Sequence, residues 1–491
     1  MPVQHYFKRR EPFRIHHGST NSTRQTVYRR GNVVDISALS RVLKIDTKAK
    51  TAIVEPNVPM DRLVESTIKH GLIPPVVMEF PGITAGGGFA GTGGESSSFK
   101  YGFFNENVNS VEIVLGNGDI VTASDKENPD LFYGASGAVG SLGITTLLEL
   151  QLIEAKKYVK VTYHSMRSIP EAIEKVGEEI LNPELDYVDG ILFSKDHGVV
   201  VTGCLTDDLP ATTRVRTFSD ANDPWYYLHV KEKTLWSVEP ITEYIPLAEY
   251  LFRYDRGGFW VGASAFEYFK FPFNKFTRWW LDDFLHTRML YKALHASGQS
   301  RNYIVQDLAL PFSKAEEFIN YTIDSFGIWP MWLCPLRQGR LPTLHPYLSE
   351  TEADGETLKP MLNVGLWGFG PAQYDKFVAK NRELERKLRG LRGMKWLYAQ
   401  TYYKENEFWD MYDRQWYSGL RKKYNAESLP SVWDKAKVDP DAQRQAMDSS
   451  WPLQCWPLGG IWGLRKAIES REYLIARNST WKARDVPGQG R

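Results

Sequence analysis

Apolar residues recur along this chain with two periods, and each change of period marks a new element. Residues 33–36 predict a short strand, and 41–45 with 51–55 predict a hairpin around Asp46-Thr47-Lys48-Ala49-Lys50. From Pro59 the spacing becomes helical. Met60, Leu63, Val64, Thr67 and Ile68 fall on one face, with Pro59 at the first helical position and Gly71 closing the helix. Residues 111–115 and 120–122 flank Gly116-Asn117-Gly118-Asp119, a strong hairpin signal. Asn128-Pro129 is read as the cap of a short helix carrying Leu131, Phe132 and Tyr133, and 144–153 as an apolar strand.

The pattern changes after Ala155-Lys156-Lys157. Strand 158–163, helix 169–181 and strands 187–193 and 199–204 give β-α-β-β, and a poorly patterned aromatic stretch fills 224–280. Helix 313–325, strands 328–336 and 362–367, helix 374–388 and strand 395–402 then repeat a similar alternation. Helices segregated from hairpin strands predict an α+β fold with a mainly antiparallel sheet. The expected division is a first domain at 1–156, a cap at 157–404, a helical segment at 405–435 and a tail at 436–491.

Composition sharpens the chemistry. Residues 83–102 read I-T-A-G-G-G-F-A-G-T-G-G-E-S-S-S-F-K-Y-G, a run expected to be neither helix nor ordinary strand. Glycine allows left-handed backbone and close approach of the main chain to a ligand. Thr92, Ser96, Ser97 and Ser98 add hydroxyls, and successive N–H groups form a nest for phosphate oxygens. The letters Gly86-x-Gly88-x-x-Gly91 fit the dinucleotide fingerprint, yet Gly93, Gly94 and the serines continue as loop where that motif opens a helix. A flavin or nucleotide fold of another kind is therefore expected, a plain flexible loop being the bland alternative. Two more glycine loops, 17–24 and 137–143, lie in the same block, as an elongated cofactor requires. The sequon Asn21-Ser22-Thr23 in the first of them is read as unused.

With 60 basic and 59 acidic residues the net charge is +1, which removes nucleic acid from the expected partners. Cys204, Cys334 and Cys455 are scattered without a C-x-x-C, so no zinc, iron–sulfur or disulfide framework is expected, and a reducing compartment fits. The ten histidines show no metal-ligand spacing; His16 and His17 are read as structural and no metal is expected. No run of about 18 apolar residues occurs. Aromatic residues make up 13% of the chain, with 16 Trp, which suits a large planar or apolar ligand or a bulky core.

The segments Pro81-Gly82 through Lys100-Tyr101-Gly102, Asp130-Leu131-Phe132-Tyr133, Gly140-Ser141-Leu142-Gly143 and Ala155-Lys156-Lys157-Tyr158-Val159-Lys160 closely resemble the delta-24 sterol reductases (24-dehydrocholesterol reductase, Diminuto-like). Those proteins belong to the flavoprotein fold of vanillyl-alcohol oxidase and p-cresol methylhydroxylase (PCMH-type). Val305-Gln306-Asp307, Trp332-Leu333-Cys334-Pro335, His345-Pro346, Leu397-Tyr398-Ala399 and Glu407-Phe408-Trp409 extend the likeness over roughly residues 12–435. It implies a non-covalent FAD, NADPH as reductant and reduction of an isolated side-chain double bond in a sterol-like lipid. An FAD oxidase or dehydrogenase of secondary metabolism, or a lipid-binding protein with a lapsed flavin site, are the alternatives on one scaffold.

By the same resemblance Gly18, Ser19, Thr20, Asn21 and Ser22 hold the FAD pyrophosphate. Gly86, Gly87, Gly88, Thr92, Gly93, Ser97, Ser98, Lys100, Tyr101 and Gly102 follow the flavin, and Gly140, Ser141, Gly143 and Ile144 lie near the adenine. Asn21 stands where covalent members of the fold carry histidine. Phe259, Trp260, Phe269, Trp332 and Trp409 are expected to wall the substrate pocket, with Gln306 and Asp307 orienting substrate or pairing within the cap. Tyr402, Glu407 or Tyr398 is expected to donate the proton. Arg253 and Arg256 either meet a cofactor phosphate or pair with Asp255. The family's membrane helix and first strand–helix unit have only Gln4 to Arg10 as counterpart here, so the first loop is expected to lack its usual support. In the tail, W-P-L-Q-C-W-P-L-G-G-I-W-G-L at 451–464 precedes Arg465 and Lys466. It is expected to pack on the cap or to touch a membrane peripherally through 451–466. The location this implies is the cytoplasm, peripheral at the endoplasmic reticulum membrane.

Overall fold

The computed structural model describes residues 2–18, 32–339, 341–352, 354–449 and 455–482. Ser19, Thr20, Asn21, Ser22 and the sequon, as well as Trp451, lie outside the described residues.

The alternation read before residue 155 becomes a five-stranded sheet of β1 (Val42–Asp46), β2 (Thr51–Val54), β3 (Val108–Val114), β4 (Ile120–Ser124) and β5 (Ile144–Gln151). Its order is β1-β2-β5-β3-β4 and every pairing is antiparallel. That arrangement excludes the parallel βαβ unit of a Rossmann fold. The helix after Pro59 spans Met60–Thr67 with Pro59 as its N-cap, and Gly71 ends its 3₁₀ extension at φ 69°.

The glycine run departs from expectation, because Ala85–Gly91 is a helix, α1. Four of its seven residues are glycine, each costing about 1 kcal/mol of helix propensity against alanine. Capping and packing offset that cost. Thr84 Oγ1 accepts from Gly87 N at 3.2 Å, and Gly86 N donates to Pro56 O at 2.7 Å. A Cβ on Gly86 would stand 2.7 Å from Pro56 Cβ, and one on Gly88 2.6 Å from Met78 Cε. Here glycine serves close helix packing, and Thr92 terminates the helix in the left-handed region at φ 52°.

The second half forms an eight-stranded sheet from β6 (Tyr158–Met166), β7 (Tyr187–Ser194), β8 (His197–Thr206), β9 (Ile241–Pro246), β10 (Tyr303–Pro311), β11 (Met331–Leu336), β12 (Met361–Phe369) and β13 (Met394–Lys395). Its order is β9-β6-β8-β7-β11-β12-β10-β13, antiparallel throughout, so the architecture is α+β with mainly antiparallel sheets. Strand β10 had no counterpart in the sequence reading. Conversely, the strand expected at 395–402 ends at Lys395, and the aromatic stretch 224–280 holds four short helices and β9.

Strand alternation gives the large sheet two faces. Ile304, Leu308, Met331, Leu333, Leu362, Val364 and Leu366 pack with residues of α2 (Ile169–Glu179), α3 (Phe312–Phe326) and α4 (Tyr374–Gly390). Val305, Ala309, Trp332, Cys334, Leu336 and Trp367 belong to the other core, shared with the five-stranded sheet. The sequence step from one residue to the next therefore crosses from one layer to the other.

Among the described residues no helix is long and apolar enough to cross a membrane. Helix Leu458–Ser470 packs back on Thr287–Ala296, with Gly463 against Ala293 and Ser297, while Trp456 Nε1 donates to Tyr268 O at 2.7 Å.

Candidate functional site

A cavity of roughly 360 Å³ opens where the two sheets face one another. One wall is main chain and small side chains: Thr84, Gly86, Gly87, Gly88, Ala90, Gly91, Gly93 and Gly94, continued by Val139, Gly140, Gly143 and Ile144. The opposite wall is the inward face of the large sheet, with Val305, Asp307, Trp332, Cys334, Leu336, Asn363 and Trp367, to which Phe259, Tyr291, Trp396 and Tyr398 add rings. Phe259 sits 4.5 Å from the Trp367 ring and 5.4 Å from Trp332, so these side chains form one aromatic surface. Near Gly140, Ile15 and Lys435 come together, and Lys435 Nζ donates to Val139 O and Gly140 O at 2.9 Å each.

Two polar clusters interrupt this apolar lining. On the large sheet Asp307 Oδ1 accepts from Asn363 Nδ2 at 2.9 Å and Oδ2 from the Tyr398 hydroxyl at 2.5 Å. Burial raises the Asp307 carboxyl from its ordinary value, and burial together with that carboxylate pushes the Tyr398 phenol well above its own. Beside the glycine wall, Glu79 and Glu95 are each 5% exposed, and Glu79 N donates to Glu95 Oε1 at 3.2 Å. Burial moves Glu79 up to about 7, and burial plus the neighbouring Glu79 charge moves Glu95 well above its ordinary value. Arg253 opposes both shifts, yet its guanidinium already meets Asp189 Oδ2 at 2.9 Å.

Of the residues the sequence nominated, Gly86, Gly87, Gly88, Gly93, Gly140, Gly143, Ile144, Phe259, Trp332, Asp307 and Tyr398 line the cavity. The others are placed elsewhere. Tyr402 joins the core on the helix side of the large sheet, its hydroxyl on Gln400 Oε1 at 2.5 Å, and Glu407 is the N3 residue of a capping box, accepting from Lys404 N at 2.7 Å. Gln306 faces the helix layer too, against Asn381 and Gln400 O. Trp409 packs at a tilt against Tyr417, Phe269 meets Gly460 of the tail, and Trp260 Nε1 donates to Trp367 O.

On the cofactor side, Thr92 offers its carbonyl to Trp396, Ser97 donates to Pro75 O, Ser98 accepts from Glu95 N, and Ser141 accepts from the Tyr417 hydroxyl. Lys100 pairs with Asp186, Tyr101 is half-buried beside it, Gly102 turns at φ 73°, and Gly18 turns at φ 79° against Ser37. None of these eight nominated residues is in the cavity lining. Arg253 pairs with Asp189 and Arg256 with Asp282, whereas Asp255 is taken by His286 and Thr287. His17 lines the cavity, and His16 ends a short strand. Among the described residues no cluster fit to hold a metal occurs. Sequence reasoning missed Glu79, Glu95, Asn363 and Lys435. The signal for Glu95 was a lone acid inside a glycine and serine run.

Residues 3–124 match the protein family described as FAD binding domain. The Delta(24)-sterol reductase of Rattus norvegicus is 31% identical to this chain over 403 residues, covering 81% of this chain and 76% of the relative. That of Homo sapiens is 30% identical over the same shares, and that of Arabidopsis thaliana 27% identical over 449 residues, covering 85% and 78%. With identity of 30–31% over 81% of its length, the chain belongs to the Delta(24)-sterol reductase family.

Proposed function

We propose that this chain reduces an isolated side-chain double bond of a sterol-like lipid, with non-covalent FAD as cofactor and NADPH as reductant. The observation that carries the reading is a single cavity with a glycine main-chain wall facing an aromatic one. The residues fit the cofactor. Gly91 faces open space with no atom within 4 Å of where a Cβ would stand, so a planar ring can approach the backbone there. Arg14 and Lys435 bring cationic groups, and His17 an imidazole, to the lining where a pyrophosphate would be held, and the buried Asn363 Oδ1 has no protein partner.

When bound, reduced FAD supplies a hydride. The chain must supply the rest. An unconjugated alkene has no carbonyl to accept charge, so a protein acid has to protonate the less substituted carbon, leaving positive charge on the tertiary one. Phe259, Trp332 and Trp367 exclude water, and their faces stabilise such a cation by roughly 0.5–2 kcal/mol. Tyr398, Asp307 and Asn363 order that wall. The test is anaerobic: NADPH bleaches the flavin and a delta-24 sterol restores its colour. Reoxidation by oxygen but by no sterol would transfer the chain to the oxidase reading.

A peripheral membrane contact supports delivery of so apolar a substrate. Phe276 (66% exposed) and Trp280 (62%) stand out on helix Lys275–Trp280, Ile461 (53%) on helix Leu458–Ser470 and Trp456 (53%) in the turn before it, with Lys270, Lys275, Arg278, Arg465 and Lys466 on or beside the same segments. Aromatic rings beside basic side chains suit an anionic bilayer surface. The chain is expected to co-sediment with vesicles containing phosphatidylserine. Changing Phe276, Trp280 and Ile461 together to serine should weaken this by more than about tenfold, the equivalent of losing roughly 1.4 kcal/mol. Undiminished co-sedimentation of the triple variant would place the contact elsewhere.

A further inference from the structure

We propose that Glu95, with Glu79 as its partner, is the acid that delivers the proton to the substrate double bond. This rests on the reading of function above and deepens it by naming a residue that touches the reacting atoms. Both glutamates line the cavity beside the glycine wall. Glu95 follows Gly93 and Gly94, and Ser98 Oγ fixes its backbone N–H at 2.8 Å. Two buried carboxyls in contact cannot both ionise, so the pair keeps a proton inside an apolar cavity. Glu95 Oε2 and Glu79 Oε1 are both buried and have no hydrogen-bond partner. Opposite, Asn363 Oδ1, on a side chain 3% exposed, is also left without a protein partner. The cavity thus holds a stored proton and an open acceptor, which is what a ligand bound there would use.

Competing acids fall away on geometry. Both Asp307 oxygens accept hydrogen bonds, from Asn363 and Tyr398, so Asp307 presents no proton. The Tyr398 proton points at Asp307, and Tyr402 and Glu407 lie outside the cavity. The groups that face the pair are Asp189 of β7, Arg253, Tyr254, and Cys334 of β11. Asp189 and Arg253 pair at 2.9 Å, so the Arg253 charge is already matched, and burial keeps the Cys334 thiol protonated. Trp332 Nε1 donates to Asp189 at 3.1 Å, tying the aromatic wall to this cluster.

In the step, the π pair of the alkene takes the Glu95 proton into one new C–H bond, and the hydride supplied by the reduced cofactor completes the second on the carbocation left behind. Glu95 is left as a carboxylate beside charged Glu79, a state the pair holds only transiently, and it takes up one proton from solvent relayed by Glu79. Reducing equivalents come from NADPH, so atoms and electrons balance.

Anaerobic stopped-flow on the full chain tests this in two halves. Glu95→Gln should leave NADPH-driven flavin reduction unchanged and slow delta-24 sterol reoxidation by roughly 10²–10⁴-fold. In wild type the reoxidation rate should be high at acid pH and fall as pH rises through the pair's deprotonation, because the protonated form is the donor. Glu79→Gln removes the charge that raises Glu95, so this limb should move to lower pH, an effect a purely structural role would not produce. A second readout needs no turnover: the infrared difference spectrum between wild type and Glu95→Gln at neutral pH should show the loss of one carboxylic-acid C=O band. Wild type that turns over sterol with Glu95→Gln equally fast overturns the assignment alone, as does a difference spectrum without that loss. Wild type that NADPH reduces but no sterol reoxidises overturns the reading of function instead.

Discussion

Replacing Arg253 by alanine is expected to lower the free energy of unfolding by about 3–5 kcal/mol, the usual cost of breaking a buried ion pair from one side. The guanidinium is 2% exposed, bonds Asp189 Oδ2 at 2.9 Å and Tyr250 O at 3.0 Å, and lies 4.1 Å from the centre of the Tyr250 ring. Without it three buried carboxyls, Asp189, Glu79 and Glu95, share a region with no compensating charge. The folded protein would relieve this by binding protons, so Glu79 should hold its own to higher pH in the variant. Urea unfolding followed by tryptophan fluorescence reads the loss. A variant that unfolds at the wild-type urea concentration would show that Asp189 is satisfied by Trp332 and Tyr254 alone. In a double-mutant cycle, Arg253→Met with Asp189→Leu should cost less than the sum of the single changes, since removing both charges leaves nothing uncompensated.

A loss of similar size is expected for Glu385→Ala, with a second effect at a distance. Glu385 and Lys395 form a buried pair at 3.0 Å, each 2% exposed at the side chain. Glu385 also accepts from Tyr402 N at 2.9 Å, while Lys395 Nζ donates to Gln400 O. These contacts anchor residues 396–403, which leave the sheet after Lys395 and have few ladder bonds of their own. Removing the carboxylate strands the Lys395 ammonium and should cost about 3–5 kcal/mol. Trp396 and Tyr398 on this segment line the cavity, so the variant should also release flavin more readily on gel filtration. Glu385→Gln keeps an acceptor for Tyr402 N and should lose less on both counts. Full flavin retention by a destabilised Glu385→Ala would separate the anchor from the cavity.

The sequence was most legible where one face of an element meets water. The hairpin at 41–55, the helix after Pro59 and helices α2 and α4 all carry a polar side, and periodicity found them. Strand β10 is buried on both faces, and Y-I-V-Q-D-L-A-L-P shows no alternation to read. The helical glycine run failed for the opposite reason: its local preference is against helix, and Pro56, Met78 and Phe104 override that only in three dimensions. The same division holds at the cavity. Its glycine wall is contiguous in sequence and could be named in advance. The carboxyl pair joins residues 16 apart, and the Asp307–Asn363–Tyr398 cluster joins three separate segments, so neither exists before the chain folds. Glu407 misled because a helix-capping glutamate and a catalytic one look alike in a string of letters.

The two-faced large sheet has a consequence for how such a protein can diversify. Neighbours on one strand answer to different demands: Gln306 is held by the helix layer and Asp307 by the cavity, and the same holds for Leu333 against Trp332 and Cys334. Ligand preference can drift by exchange at every second position of β10, β11 and β12 while the intervening residues keep the scaffold intact. A lineage can in this way change what it accepts without first acquiring a reserve of stability, and traits that are interleaved in sequence stay separable to selection.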